Sequence, residues 1–144
     1  MLTIRLARLD EREALEGLQR RAALALGEYN ERLEAEPDAI ELPIAMIERD
    51  EVIVAELDGE VAGLAVLFIG AEEAELDGLF VEPRLWRRGI GAALVDVATH
   101  EARKRGLTLM VTANPSARPF YESCGFTVEG EAQTRFGPAL RMSK

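Results

Sequence analysis

With 144 residues, 48% hydrophobic and 30% charged, the chain is long enough for one domain with a substantial core, and its Pro and Gly content is too ordinary for a disordered or fibrous protein. Its formal charge of −9 argues against non-specific nucleic-acid binding, which draws most of its affinity from positive charge, and suits a soluble acidic protein that meets an amine-bearing substrate. The longest nearly unbroken apolar run, Val61 to Ala71, is too short for a bilayer, no basic segment leads into an apolar leader, and a lone Cys124 with a lone His100 is too little for a disulfide or a usual zinc site. The expected setting is reducing and cytoplasmic, without membrane, nucleic acid or metal.

Thr3 to Leu9 alternates Ile4 and Leu6 with polar residues and reads as a first strand. Asp10 then stands as an N-cap, with Glu13 three residues on completing a capping-box pattern. The helix that follows carries Leu15, Leu18 and Ala22 on one face. Gly27 and Glu36-Pro37-Asp38 break the stretch from Leu26 to Ile47 into helical pieces and loops, with Asp38 capping a short helix through Ile47. Val52 to Leu57 and Glu60 to Ile69 flank Asp58-Gly59, a two-residue hairpin signal. Gly70 to Glu73 reads as a turn and Glu75 to Val81 as the next strand.

From Gly89 the period changes: Ile90, Ala93, Leu94, Val97 and Ala98 form an apolar stripe at helical spacing that ends near Arg103-Lys104-Arg105-Gly106. Leu107 to Thr112 predicts a buried strand, Pro115 to Ser123 a short helix, and Phe126 to Glu129 a strand. Gly137-Pro138 interrupts before a final strand, Ala139 to Ser143. The order implies one α/β layered domain over residues 1–144 with a mixed sheet.

The stretch from Leu79 to Leu94 carries the most chemistry. A strand feeds Trp86-Arg87-Arg88-Gly89-Ile90-Gly91-Ala92, and that turn opens directly into an amphipathic helix. A helix N-terminus leaves backbone N–H groups without partners, and the macrodipole adds partial positive charge there. Gly89 and Gly91 lack Cβ atoms, so a phosphate can approach those amides, while Arg87 and Arg88 add formal charge. Neither the dinucleotide fingerprint nor the Walker pattern is met, since position 94 is Leu and no Gly-Lys-Ser/Thr occurs. Phosphate or pyrophosphate binding in a different glycine turn is the chemistry implied.

This stretch resembles motif A of the GNAT superfamily of N-acetyltransferases, Q/R-x-x-G-x-G/A, with Gly89 and Gly91 in register and Trp86 standing where Gln or Arg is usual. A second stretch, Asn114-Pro115-Ser116-Ala117-Arg118-Pro119-Phe120-Tyr121 followed by Gly125-Phe126, resembles motif B. The resemblance implies a mixed, mostly antiparallel sheet flanked by helices on both faces. It implies acetyl-CoA as co-substrate, its pyrophosphate on the amides of Arg87, Arg88, Gly89, Ile90, Gly91 and Ala92. The pantetheine arm would pair with the backbone of Leu79, Phe80 and Val81, and Asn114, Ala117, Arg118 and Phe120 would lie near the cofactor. Arg118 is equally an exposed helix arginine. The family often forms homodimers through sheet edges, and a homodimer is the corresponding expectation.

Tyr121 is the resemblance's general acid for the departing thiolate; the other reading is a core aromatic beside Phe120. Glu75 lies where some members place a general base, with Asp77 two residues on along the same strand face, and both are also compatible with a solvated strand end. His100 falls on the polar side of its helix, and Cys124 reads as a small buried apolar residue. The implied reaction is direct attack of a primary amine on the thioester in a ternary complex. The rival readings are a non-catalytic CoA-binding sensor on the same fold and an interaction module that has lost the cofactor. A small-molecule amine is the expected acceptor, with amino acid, antibiotic and protein N-terminus open. Leu24 to Ile47, rich in Glu, and Ala132 to Gly137, with Arg135, are the segments expected to choose it.

Overall fold

Alternating apolar positions on seven strands build a single sheet, which divides the helices between its two faces. The computed structural model describes residues 1–26, 41–135 and 137–144. Its strands are β1 (Leu2–Leu6), β2 (Val52–Leu57), β3 (Glu60–Ile69), β4 (Glu73–Val81), β5 (Thr108–Ala113), β6 (Thr127–Thr134) and β7 (Gly137–Ser143), in the order β1-β2-β3-β4-β5-β7-β6. Every neighbouring pair is antiparallel except β4 with β5. The helices are α1 (Arg12–Leu26), α2 (Ile44–Glu48), α3 (Ile90–Lys104) and α4 (Arg118–Ser123). This is the mixed, mostly antiparallel sheet with helices on both faces that the motifs imply.

The core has two parts, one on each face. Leu94, Val95, Ala98 and Ala102 of α3 pack with Ala65, Leu76, Val111 and Met142 of the sheet, and Tyr121 and Phe126 join them. On the other face Leu15 and Leu18 of α1 and Ile47 of α2 cover Val52, Val54, Leu64 and Val66. No helix among the described residues is long and apolar enough to cross a membrane.

Element ends differ from the sequence reading for local reasons. The first strand stops at Leu6 rather than Leu9, because a 3₁₀ turn over Leu9–Glu11 precedes α1. The cap is not Asp10 with Glu13: the Glu11 carboxylate accepts the Arg8 backbone N–H at 2.8 Å and is itself gripped by the Arg5 guanidinium at 2.8 and 2.7 Å. That ion pair, donated from β1, holds the Glu11 carboxyl below its ordinary range against the cost of burial. The Asp38 cap lies outside the described residues, as do the other residues of 27–40; the helix ending near Ile47 begins at Ile44 after Pro43. β4 starts at Glu73 instead of Glu75, since Glu73 closes the preceding turn through the Gly70 N–H and pairs with Thr108. Gly137-Pro138 belongs to β7 rather than interrupting it. Pro138 stands opposite Gln133 of β6, and β5 joins β7 only from Leu140 onward, so the missing Pro N–H leaves no ladder bond unmade on the open side.

β4 and β5 pair only over Glu73↔Thr108 to Leu76↔Val111. Beyond that point β4 continues to Val81 beside β3 alone, and β5 turns into the 3₁₀ segment Pro115–Ala117 that leads to α4. The sheet therefore opens into a fork. A β-bulge sits at its base, where Val66 pairs with Gly78 and the next residue, Leu67, pairs with Leu76, leaving Asp77 as the extra residue of β4.

Candidate active site

One arm of the fork is a strand edge with unused backbone groups. From Gly78 to Val81 the side of β4 turned toward β5 has no strand partner, so it can receive an extended chain as another strand would. At the end of this arm a 3₁₀ turn over Pro83–Leu85 leads to the glycine turn. The Trp86 indole donates to the Val81 carbonyl at 2.8 Å, tying the turn back onto its own strand. A second tie comes from α1, whose Arg21 guanidinium meets both Glu82 carboxylate oxygens at 2.9 Å and depresses the Glu82 carboxyl. Both contacts fix where the turn stands, and neither uses its amides.

Within the turn Arg87 and Gly89 adopt left-handed backbone angles, φ +67° and +80°. Gly89 is the N-cap of α3 and supplies no side-chain cap; the first helical bond runs from the Ala93 N–H to the Gly89 carbonyl. The backbone N–H groups from Arg87 through Ala92 have no protein acceptor among the described residues. Arg87 and Arg88 are exposed and form no ion pair among those residues, in contrast to Arg5, Arg21, Arg84, Arg105 and Arg141. A row of amides and two guanidinium groups without partners among the described residues, placed at a helix start, has the chemistry to hold a phosphate-bearing group.

The amides border a cavity of about 480 Å³, within the range of small-molecule sites. Leu79, Phe80 and Val81 come from β4, and Arg87, Gly89, Ile90, Gly91 and Ala92 from the turn and the start of α3. Ala22 and Leu26 of α1 wall one side, and Phe120 of α4 closes against Gly91. A Cβ built on Gly91 would stand 3.2 Å from the Phe120 ring, so any side chain there crowds the passage. The lining is chiefly apolar around a polar amide row, which fits a ligand with a thin arm and a charged end. A larger recess of about 600 Å³ lies between β1 and the C-terminal turns of α3, but Arg5, Arg49 and Arg105 at its rim are already paired with acids and it excludes the glycine turn.

Other residues singled out by the sequence do not line this cavity. Asn114 spends its side-chain oxygen on the Ser116 N–H at 2.9 Å, capping the turn that starts motif B, and Ala117 packs against the α3-side core. Arg118 is exposed and ion-paired with Glu122 at 3.3 Å. Tyr121 is 8% exposed and packs edge-on against both Phe120 and Phe126, with ring centroids 5.1 and 5.3 Å away. It is thus both a core aromatic and one ring removed from the cavity. Burial pushes its phenol up to about 12, with the nearby Cys124 adding to the shift. Burial also raises the Cys124 thiol, which makes it a poor nucleophile.

On the sheet face opposite α3, at the base of the fork, Glu75 is held by Arg141 of β7 at 2.6 Å. The same guanidinium reaches the Thr112 hydroxyl and the Glu73 carboxylate, each at 3.0 Å. Asp77 makes no hydrogen bond or ion pair among the described residues. Asp77 is exposed, yet desolvation by the protein around its carboxyl raises it above the ordinary aspartate range; the charges of Glu75 and Glu51 add to this, and Arg141 opposes it. Sequence reasoning missed Arg141, Trp86 as an indole donor, and the α1 wall. Period-2 alternation places Arg141 on the face away from Leu140 and Met142, but no local signal names partners more than sixty residues earlier.

The chain matches the model of the acetyltransferase (GNAT) family over residues 16–126. It is 38% identical over 73 residues to the ribosomal protein bS18-alanine N-acetyltransferase of Escherichia coli strain K12, covering 48% of this chain and 49% of that protein. To the aminoglycoside N(6')-acetyltransferase type 1 of Klebsiella aerogenes it is 39% identical over 82 residues, 49% of this chain and 54% of the relative. The chain thus spans about half the length of the curated relatives it matches. Among solved structures, the PaiA N-acetyltransferase of Thermoplasma acidophilum, determined in complex with coenzyme A, superposes with a TM-score of 0.84 over 100% of this chain and 98% of that one, at 23% identity.

Proposed function

The chain belongs to the GNAT family of acetyltransferases, and from that premise we propose that it moves the acetyl group of acetyl-CoA to a primary amine by direct attack in a ternary complex. The observation that carries the cofactor half is the row of free amides from Arg87 to Ala92 beside an unpaired β4 edge. These amides and Arg87 hold the pyrophosphate, and the edge of Leu79 to Val81 orients the pantetheine arm. The thioester is thereby led toward the fork, where Tyr121 and the β4 carboxylates flank the two strands.

A carboxylate of β4 takes one proton from the ammonium form of the acceptor, freeing the nitrogen lone pair. The nitrogen attacks the acetyl carbonyl carbon, a C–N bond forms and the C–S bond breaks. The nitrogen's second proton leaves to solvent and the departing sulfur takes one up from solvent, so that the amide and the free thiol are the products. Because its phenol holds its proton up to about 12, far above the ~8.5 of an ordinary thiol, Tyr121 acts mainly as a hydrogen-bond donor to the developing thiolate. Glu75, the carboxylate first indicated by the sequence, is already engaged by Arg141. The test is acetyl-CoA binding by calorimetry, followed on the same preparation by thiol release with an alanine-initiated peptide, an aminoglycoside and an alkyl diamine. Amine-dependent release is expected. Binding without release by any amine points to a CoA sensor, and no binding sinks the reading.

A further inference from the structure

The strand that follows a bulge normally changes which face its side chains occupy. Ala74 and Leu76 face the α3-side core, and after the bulge Leu79 and Val81 do so. The parity shift falls between them, so Glu73, Glu75 and Asp77 share the opposite face, with Asp77 at the point where β4 leaves β5. Three carboxylates on one face repel one another, and one cation sits among them. Arg141 stands opposite Thr112 on β5 in the β7 register, and its guanidinium extends across β5 to Glu75 and Glu73 on β4. It bridges three strands at the last paired step before the fork.

We propose that Arg141 is a positioning residue that selects the proton acceptor: by binding Glu75 and Glu73 it removes them from that role and leaves Asp77, one step further into the fork, as the catalytic base. The proposal rests on the N-acetyltransferase reading above. The Glu75 carboxylate spends an oxygen on the Arg141 guanidinium at 2.6 Å and the Glu73 carboxylate spends one at 3.0 Å, so both are held toward β7 and away from an incoming amine. Asp77 has no such partner among the described residues. Among those residues the charged groups that face it are Glu75 on its own strand, Glu51 at the entrance to β2, and Arg141 from β7; Glu51 is paired with Arg49 and Glu73 with Arg141. Two of the three charges disfavour a second anion, so Asp77 accepts a proton more readily than an isolated aspartate. The proton leaves the ammonium nitrogen and forms an O–H bond on Asp77, which returns it to solvent after acetyl transfer.

Activity should therefore fall as pH drops through the Asp77 titration, giving kcat/KM an acidic limb. Asp77→Asn should remove that limb and lower kcat/KM by about a hundredfold or more, with acetyl-CoA binding unchanged. Glu75→Gln should keep the limb and move it to lower pH, because one negative neighbour is gone. Arg141→Gln should move it to higher pH, and Arg141→Lys should restore it in part, which a merely structural role would not produce. Carboxyl carbon NMR of Asp77 in wild type and Arg141→Gln follows the same titration without turnover. Loss of the limb in Glu75→Gln but not in Asp77→Asn, or an Asp77 titration that Arg141→Gln leaves in place, would overturn the proposal. If the wild type binds acetyl-CoA but releases no thiol with any of the three amines, the enzyme reading fails, while the NMR titration still decides the coupling.

Discussion

The two ends of β4 reach function by different means. At its C-terminal end the groups proposed to bind are backbone: a strand edge that has lost its neighbour and a turn whose amides are unspent among the described residues. Side chains there serve to hold the turn, as the Trp86 indole and the Arg21–Glu82 pair do. At the base of the fork β4 is paired on both sides up to Leu76, and the chemistry proposed there lies in side chains drawn from β4, β5 and β7. The first arrangement tolerates change in side-chain identity as long as the chain path and the missing Cβ atoms are kept. The second depends on each residue type. A site that must hold a long, invariant cofactor beside a variable acceptor benefits from that division.

The largest effect that would sharpen this contrast comes from Gly91→Arg. The new side chain would start 3.2 Å from the Phe120 ring and fill the passage between β4 and α4. We expect acetyl-CoA binding by calorimetry to fall by at least about a hundredfold, since the ligand loses both space and amide approach. The circular dichroism spectrum and melting temperature should remain near those of the wild type, because Gly91 is at the start of α3 and outside the buried core. Normal binding in this variant would show that the glycine turn is not the pyrophosphate site.

Tyr121→Phe comes next and acts at the other kind of site. It deletes one hydroxyl and keeps the edge contacts with Phe120 and Phe126. kcat is expected to fall by roughly tenfold to a hundredfold with acetyl-CoA affinity unchanged, the range for losing one donor to developing charge. With the phenol pushed up to about 12, Tyr121 remains protonated through neutral and mildly alkaline pH, so the wild type should show no alkaline fall in kcat from this group below about pH 11. A fall near pH 10 that disappears in Tyr121→Phe would contradict the buried, donor-only role. The same shift has a stability consequence. The folded state keeps the proton more tightly than the unfolded chain, so stability contributed by neutral Tyr121 is complete below about pH 10. It should decline as pH rises from there towards 12.

How much of this was legible in the sequence follows the same division. The glycine turn could be read because its information is local: a strand, two glycines three and five residues beyond Trp86, and the start of an apolar stripe at helical spacing lie within sixteen residues. The hairpin at Asp58-Gly59, whose two residues both take positive φ, was local in the same way. The carboxylate cluster was half legible. Glu75 and Asp77 could be placed on one face by alternation, but the bulge that keeps Asp77 there and the Arg141 that occupies Glu75 depend on register between strands far apart in sequence. The cap of α1 failed for a related reason. Glu11 is fixed by Arg5 from a neighbouring strand, and that ion pair outweighs the local pattern of Asp10 with Glu13.

A smaller effect tests whether the turn is held by side chains while binding through backbone. Trp86→Phe keeps an aromatic ring against the cavity and removes the donor to the Val81 carbonyl. One such hydrogen bond is worth about 1 kcal/mol, so acetyl-CoA should bind about fivefold more weakly, without any change in the pH dependence of turnover. An altered acidic limb would mean that the two ends of β4 are coupled, which would break the comparison drawn above.

The smallest expected effect lies away from both ends, on the buried face of α1. Gln19 is 8% exposed, and its side-chain oxygen has no hydrogen-bond partner among the described residues. It sits between Leu15 and Ala22 on the helix face that covers the sheet, where an unpaired carbonyl oxygen costs roughly 1–3 kcal/mol. Methionine has the same unbranched length and no such oxygen, so Gln19→Met should raise stability by about 1 kcal/mol. In a chain of this size that amounts to a melting temperature about 3 °C higher. Acetyl-CoA binding and kcat should not move, because α1 touches the cavity through Ala22 and Leu26 rather than Gln19. A loss of stability instead would mean that the Gln19 oxygen holds an ordered water that helps seat α1 on the sheet, and would make α1 a polar as well as an apolar support for the β4 arm.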